Sequence, residues 1–238
     1  MSDEPETLDG LVRRVDPDRW LASRFIADAA ARADVVALYA FNHELARVAG
    51  AVREPLMGEI RLTWWREAMD EVAAGKSPRK HPVVEALAAA DLPATALADL
   101  PEGRYPELDR GPFTDAELLA YLDGTAGAVM TLAARRLDPA AAPEQVRGAA
   151  RAFGLAGLWW AKAAGRPSRL PAEWTAGDVA SRVAAELTAA RRELKSLPVA
   201  AFPAVAYAAL AGPYATDREP GELGKRLRLT FAVLRGRI

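Results

Sequence analysis

Asp16-Pro-Asp-Arg-Trp-Leu-Ala-Ser-Arg-Phe25 and, ten residues on, Val35-Val-Ala-Leu-Tyr-Ala-Phe41 are the stretches that decide the fold class. Apolar residues recur at three- and four-residue spacing, through Trp20, Leu21 and Phe25 to Val35, Val36, Leu38, Tyr39, Phe41, Leu45 and Val48. That is the period of a helix with one buried face. Asp16-Pro17 is a start signal, since aspartate caps free N–H groups and proline is preset for the first helical position. Gly50 and Pro55 close the stretch.

The same punctuation continues outward. The spacing predicts a second helix over Gly58–Ala74, ended by Gly75, and a short one from His81-Pro82 to about residue 90. Leu92–Pro112, with four prolines and two glycines, reads as connection. Thr114-Asp-Ala-Glu117 is a capping sequence for a helix through Arg136. Further helices are expected over 143–162, 178–197, 200–211 and 220–234. Residues 178–197 are strongly amphipathic but too short for a coiled-coil strand, so they read as a packed surface helix. No stretch alternates with period two between turn dipeptides. The expected class is all-α, a single-domain helical bundle over 16–238 behind a flexible acidic N-terminus over 1–15.

Composition narrows the chemistry. Half of the 238 residues are hydrophobic (51%) but only 7% are aromatic, so alanine and leucine must fill the core. A net charge of −1 argues against a nucleic-acid partner, which requires a basic surplus. The absence of cysteine excludes disulfides, thiolate metal sites and cysteine nucleophiles. With His43 and His81 alone, neither a histidine-rich metal site nor a Ser-His-Asp triad is expected. The opening MSDEPETLDG has four acids and no base, unlike a signal or transit peptide, so a cytoplasmic location is expected. The longest uncharged run, Ser196–Thr216, is broken by Pro198, Pro203 and Pro213 and reads as a buried helix rather than a membrane span.

Three stretches in register resemble the squalene/phytoene synthase family. They are Asp18–Phe25 with Ala37–Phe41; Glu54-Pro-Leu-Met-Gly-Glu-Ile-Arg-Leu-Thr-Trp-Trp-Arg66 with His81-Pro-Val83; and Tyr121-Leu-Asp-Gly-Thr-Ala-Gly127 with Phe153–Ala156 and Arg169–Pro171. The resemblance covers roughly residues 16–175. It implies a helical bundle of the isoprenoid (terpenoid) synthase type around a central cavity. It also implies head-to-head joining of two prenyl diphosphates, with magnesium held by aspartates on two facing helices. Those aspartates are missing here. Ala46, Arg47 and Gly50 stand at the first set of positions, and Leu158–Arg166 offers no metal ligand at the second.

The resemblance further implies a ligand pocket formed by Tyr39, Phe41, Asn42, His43, Tyr121, Gly124, Gly127 and Trp160. Plain core packing is the competing reading for the aromatics, helix packing for His43, and close helix contact for the two glycines. No catalytic and no metal-binding residue is expected, and magnesium would be a cofactor only for an active enzyme. One function is a non-catalytic member, similar to the branch that includes the mitochondrial complex I assembly factors, with a lipid- or isoprenoid-binding or assembly role. The other is an active prenyltransferase using displaced acids such as Glu44, Glu59, Asp70 or Asp123. The first would engage an isoprenoid or lipid ligand, or a protein partner. Residues 224–238 carry Lys225, Arg226, Arg228, Arg235 and Arg237 with no acid, interleaved with Leu227, Leu229, Phe231, Val233 and Leu234. This end either contacts a membrane surface peripherally or packs its leucines into the bundle and solvates its arginines.

Overall fold

The computed structural model describes residues 6–109, 111–166 and 168–238, and the elements among them are helical. The first is α1 (Leu8–Val15), capped by the Thr7 hydroxyl, which accepts from the Gly10 N–H. Its Val12 is fully buried and it packs on α3 (Ala29–Ala46). Residues 8–15 therefore depart from the expected flexible tail: besides the Thr7 cap and Val12, Leu8 and Leu11 pack on the core and Asp9 accepts from the Trp20 indole and Arg24. Residues 1–5 lie outside the described residues.

The long periodic stretch from Asp16 onward is not one helix. Asp16 caps α2 (Pro17–Ser23) through its carboxylate and the Arg19 N–H, with Pro17 at the first position. A tight turn follows, and Asp28 caps a new start at α3, accepting from Ala31 N–H at 2.6 Å. Apolar spacing is nearly preserved across that break, so periodicity alone does not reveal it. After α4 (Val48–Ala51) come α5 (Pro55–Ala73), α6 (Pro82–Ala89) and α7 (Ala94–Asp99). A 3-10 segment, Leu100–Glu107, continues directly from α7, so the expected connection over 92–112 is largely helical.

α8 (Asp115–Leu122) starts in the predicted Thr114–Glu117 capping box. It passes through a π turn at Asp123–Gly127 into α9 (Ala128–Leu137). α10 (Pro143–Ala163) is the central rod, flanked by α11 (Ala176–Glu193), α12 (Ala211–Ala215) and the π turn. Small residues set its spacing: a Cβ on Gly148 would stand 2.7 Å from the Ala190 backbone N. Ala149, Ala152 and Ala156 are fully buried, the alanine-filled core that composition required. Val199–Ala204 and Ala206–Leu210 form 3-10 turns rather than one α-helix, because Pro203 lacks the N–H that an α-ladder needs. Residues 201–210 are largely buried, as expected, while Val199 at the start is exposed. α13 (Glu222–Arg235) closes the described chain.

Candidate functional site

A cleft of about 850 Å³ opens where α3 and α4 end. Ala46, Gly50 and Val52 form one wall and Leu158 and Ala161 of α10 the other. Arg104 and Glu107 of the 3-10 segment, Tyr121 of α8 and the loop arginines Arg166 and Arg169 complete it. Four arginines (Arg53, Arg104, Arg166, Arg169) face this space against two carboxylates, Glu107 and Asp109. Ala46, Val52, Leu158 and Ala161 add apolar lining, and the arginines outnumber the carboxylates.

Arg104 is the best-held of these groups. Its Nη2 donates to the Asn42 Oδ1 at 2.7 Å and its Nη1 to the Glu107 Oε1 at 2.6 Å. The Tyr121 hydroxyl donates to the same Glu107 oxygen at 2.8 Å and accepts weakly from Arg104 at 3.4 Å. Burial works against the Arg104 charge, but Glu107 beside it holds the guanidinium protonated, above its ordinary pKa. Burial likewise pushes the Tyr121 phenol up, so it stays a donor. Arg169 donates to the Pro106 carbonyl and lies over the Phe113 ring at 4.7 Å.

A second arginine fills the interior behind the cleft. Arg19 pairs with Asp16 at 2.6 Å and is ringed by Tyr39, Phe153 and Tyr207, whose centroids lie 5.8, 5.1 and 4.9 Å from it. Tyr39 meets Tyr207 edge-on at 6.3 Å, and Phe41 packs on Trp65 at 5.3 Å.

The residues expected to form a pocket are therefore dispersed. Tyr121 lines the cleft, and Asn42 stands one hydrogen bond behind it through Arg104. Tyr39 and Phe41 are sealed in the core, away from the cleft. His43 is half-buried, and burial lowers its pKa. Trp160 packs on Tyr214 at 5.4 Å. Gly124 and Gly127 line a separate depression of about 440 Å³ with Gly103. Gly103 approaches Gly124 so closely that a Cβ on Gly103 would sit 2.5 Å from the Gly124 carbonyl oxygen.

The donor set does not suit magnesium. Ala46 and Gly50 on the cleft wall offer no ligand, and Arg47, outside the lining, pairs with Glu44 at 3.1 Å. Among the described residues no three His, Asp or Glu side chains gather closely enough to hold a metal ion. The displaced acids are scattered: Glu59 borders a different pocket, Asp70 is exposed on α5, and Asp123 binds Arg151 through both oxygens at 2.6–2.7 Å. A hard dication seeks several oxygens, and guanidinium groups oppose it.

Residues 12–157 match the family model described as squalene/phytoene synthase. The chain belongs to that family. Solved structures carry the same isoprenoid synthase-type architecture. A ligand-bound dehydrosqualene synthase superposes with a TM-score of 0.74 over 96% of this chain and 94% of its own, at 14% identity. The squalene synthase HpnC from Alicyclobacillus acidocaldarius gives 0.64 over 96% and 92%, at 17% identity. Among curated proteins, NADH dehydrogenase (ubiquinone) complex I assembly factor 6 is 31% identical in Bos taurus and 32% in Homo sapiens, over 75 residues. That stretch is 32% of this chain and only 22% of either relative.

Within the squalene/phytoene synthase frame, the cleft lies between Ala46–Gly50 and Leu158–Ala161, the segments that stand in place of the expected aspartates. Sequence reading missed Arg104, Glu107 and Gly103, all in the proline-rich stretch taken as connection. The i, i+3 pair Arg104–Glu107 was the available signal.

Proposed function

We propose that this squalene/phytoene synthase-like protein is non-catalytic and holds an isoprenoid or other lipid with an anionic headgroup in the Arg104 cleft. The observation that supports the reading is the exchange of charge at one place. Arginines border the space where a prenyltransferase needs aspartates, and apolar side chains line it beside them. Guanidinium groups neutralise phosphate directly, by paired hydrogen bonds and without metal. No group in the cleft supplies the dication pair that would draw diphosphate off an allylic carbon. The similarity to assembly factor 6 supports a companion role in assembling a respiratory complex.

The test separates binding from turnover. Purified protein with farnesyl diphosphate and magnesium should release no diphosphate and form no squalene- or phytoene-type product. Product above background would overturn the non-catalytic reading and restore the prenyltransferase. Calorimetry in EDTA should still detect farnesyl diphosphate. Replacing the exposed Arg166 with alanine should weaken it by roughly tenfold, the worth of one charge-assisted hydrogen bond. Binding that requires magnesium, or that ignores Arg166→Ala and Arg104→Met alike, would remove the cleft as the site.

A further inference from the structure

α13 has two apolar faces, and only one is used by the fold. Leu229 and Ala232 are buried against the bundle. Lys225, which the sequence counts among the basic residues of this end, is buried with them at 5% exposure. Its ammonium reaches Glu219 at 2.8 Å and Asp18 at 3.2 Å, while the Tyr214 hydroxyl donates to the other Asp18 oxygen at 2.6 Å. This cluster fixes the roll of the helix about its axis.

The opposite side carries Leu223, Leu227, Phe231 and Leu234, which are 71%, 49%, 51% and 77% exposed. At 3.6 residues per turn they form one continuous stripe along the helix. Arg226 borders the stripe on one flank, and Arg228 and Arg235 on the other. All three are exposed, and none has a carboxylate partner among the described residues. Arg235 lies over the Phe231 ring at 5.3 Å. The one acid of the helix, Glu222, sits in its first turn, off the stripe. The helix also lies beyond residues 12–157, outside the segment the family model matches.

We propose that α13 lies flat on an anionic membrane surface. The stripe enters the acyl boundary, and Arg226, Arg228 and Arg235 engage headgroup phosphates on either side. An apolar row with cations on both flanks matches a plane of anionic headgroups over hydrocarbon. A second copy using the same face would set arginine flanks against arginine flanks. No helix among the described residues is long and apolar enough to cross a membrane, so the contact is peripheral. The proposal stands independently of what the cleft binds.

Sedimentation of the full chain with vesicles tests it. Binding is expected to an equal mixture of phosphatidylcholine and phosphatidylglycerol and not to phosphatidylcholine alone, and it should weaken as salt rises. Leu227→Glu with Phe231→Glu should lower the partition coefficient by roughly tenfold or more. Arg226→Glu with Arg228→Glu should do the same at low salt. Both pairs are exposed, so an unchanged thermal melt certifies the fold. Equal binding to both vesicle types, or binding that survives Leu227→Glu with Phe231→Glu, overturns the proposal. So does a dimer that this variant dissolves in a chain that binds no vesicle.

Discussion

Arg19 and Arg104 are equally buried, each 8% exposed, and each is held at 2.6 Å by a carboxylate three residues away. Their surroundings differ. Arg19 is enclosed by the rings of Tyr39, Phe153 and Tyr207, and its Nε finds no acceptor. Arg104 is oriented by Asn42, Glu107 and Tyr121 and borders open space. One end of the interior is thus plugged by a cation in an aromatic box, and the other stays hollow beside a cation held by polar groups. Burial alone does not tell a structural arginine from one poised toward a ligand; the partners do.

The contrast is broken or upheld first by truncation. Arg19→Ala leaves the Asp16 carboxylate only its cap bond from the residue 19 N–H and empties the box, a loss of about 3–5 kcal/mol in urea unfolding. Arg104→Ala leaves Glu107 still bonded by Tyr121 beside solvent, so about 1–3 kcal/mol is expected. A larger cost at Arg104 than at Arg19 would erase the distinction between plug and rim.

A smaller effect sharpens the hollow side. Gly103→Ala drives a methyl into the Gly124 backbone, whose carbonyl carbon lies 2.8 Å from the new atom, at a cost of about 1–3 kcal/mol. The reverse change, Gly124→Ala, meets only the Gly103 Cα at 3.5 Å and should move stability by less than about 0.5 kcal/mol. Equal effects would mean that the two segments are not held at this distance.

The smallest effect is pH-dependent. Burial lowers the His43 pKa below 6.5, so below that pH the unfolded chain binds a proton that the folded one refuses. Stability should therefore fall as pH drops through 6.5, and His43→Gln should flatten that limb of a melting-temperature profile.

Much of the frame was legible. The Asp16-Pro17 cap, the Thr114–Glu117 box and the alanine core follow from local chemistry. The helix period also identifies the inward face of α3, where Tyr39 and Phe41 lie. It does not say whether the space inward is filled, because the rings beyond Tyr39, those of Phe153 and Tyr207, come from more than a hundred residues away. The cleft was hidden for a related reason: Arg104 sits in a stretch whose prolines suggest a loop, yet a 3-10 helix accommodates Pro101 and Pro106. The C-terminal stripe split two readings that sequence left standing, since the leucines divide between buried Leu229 and exposed Leu227.

The bond from Tyr214 to Asp18 joins residues 196 positions apart. At about 5–20 residues per second of translation, the nascent chain carries Asp18 for on the order of 10–40 s before its partners exist. Over that interval the carboxylate stays hydrated, and α2 has no lid. Closure of the bundle is therefore a late event in the life of each new molecule, and loop entropy makes so long-range a contact slow to form.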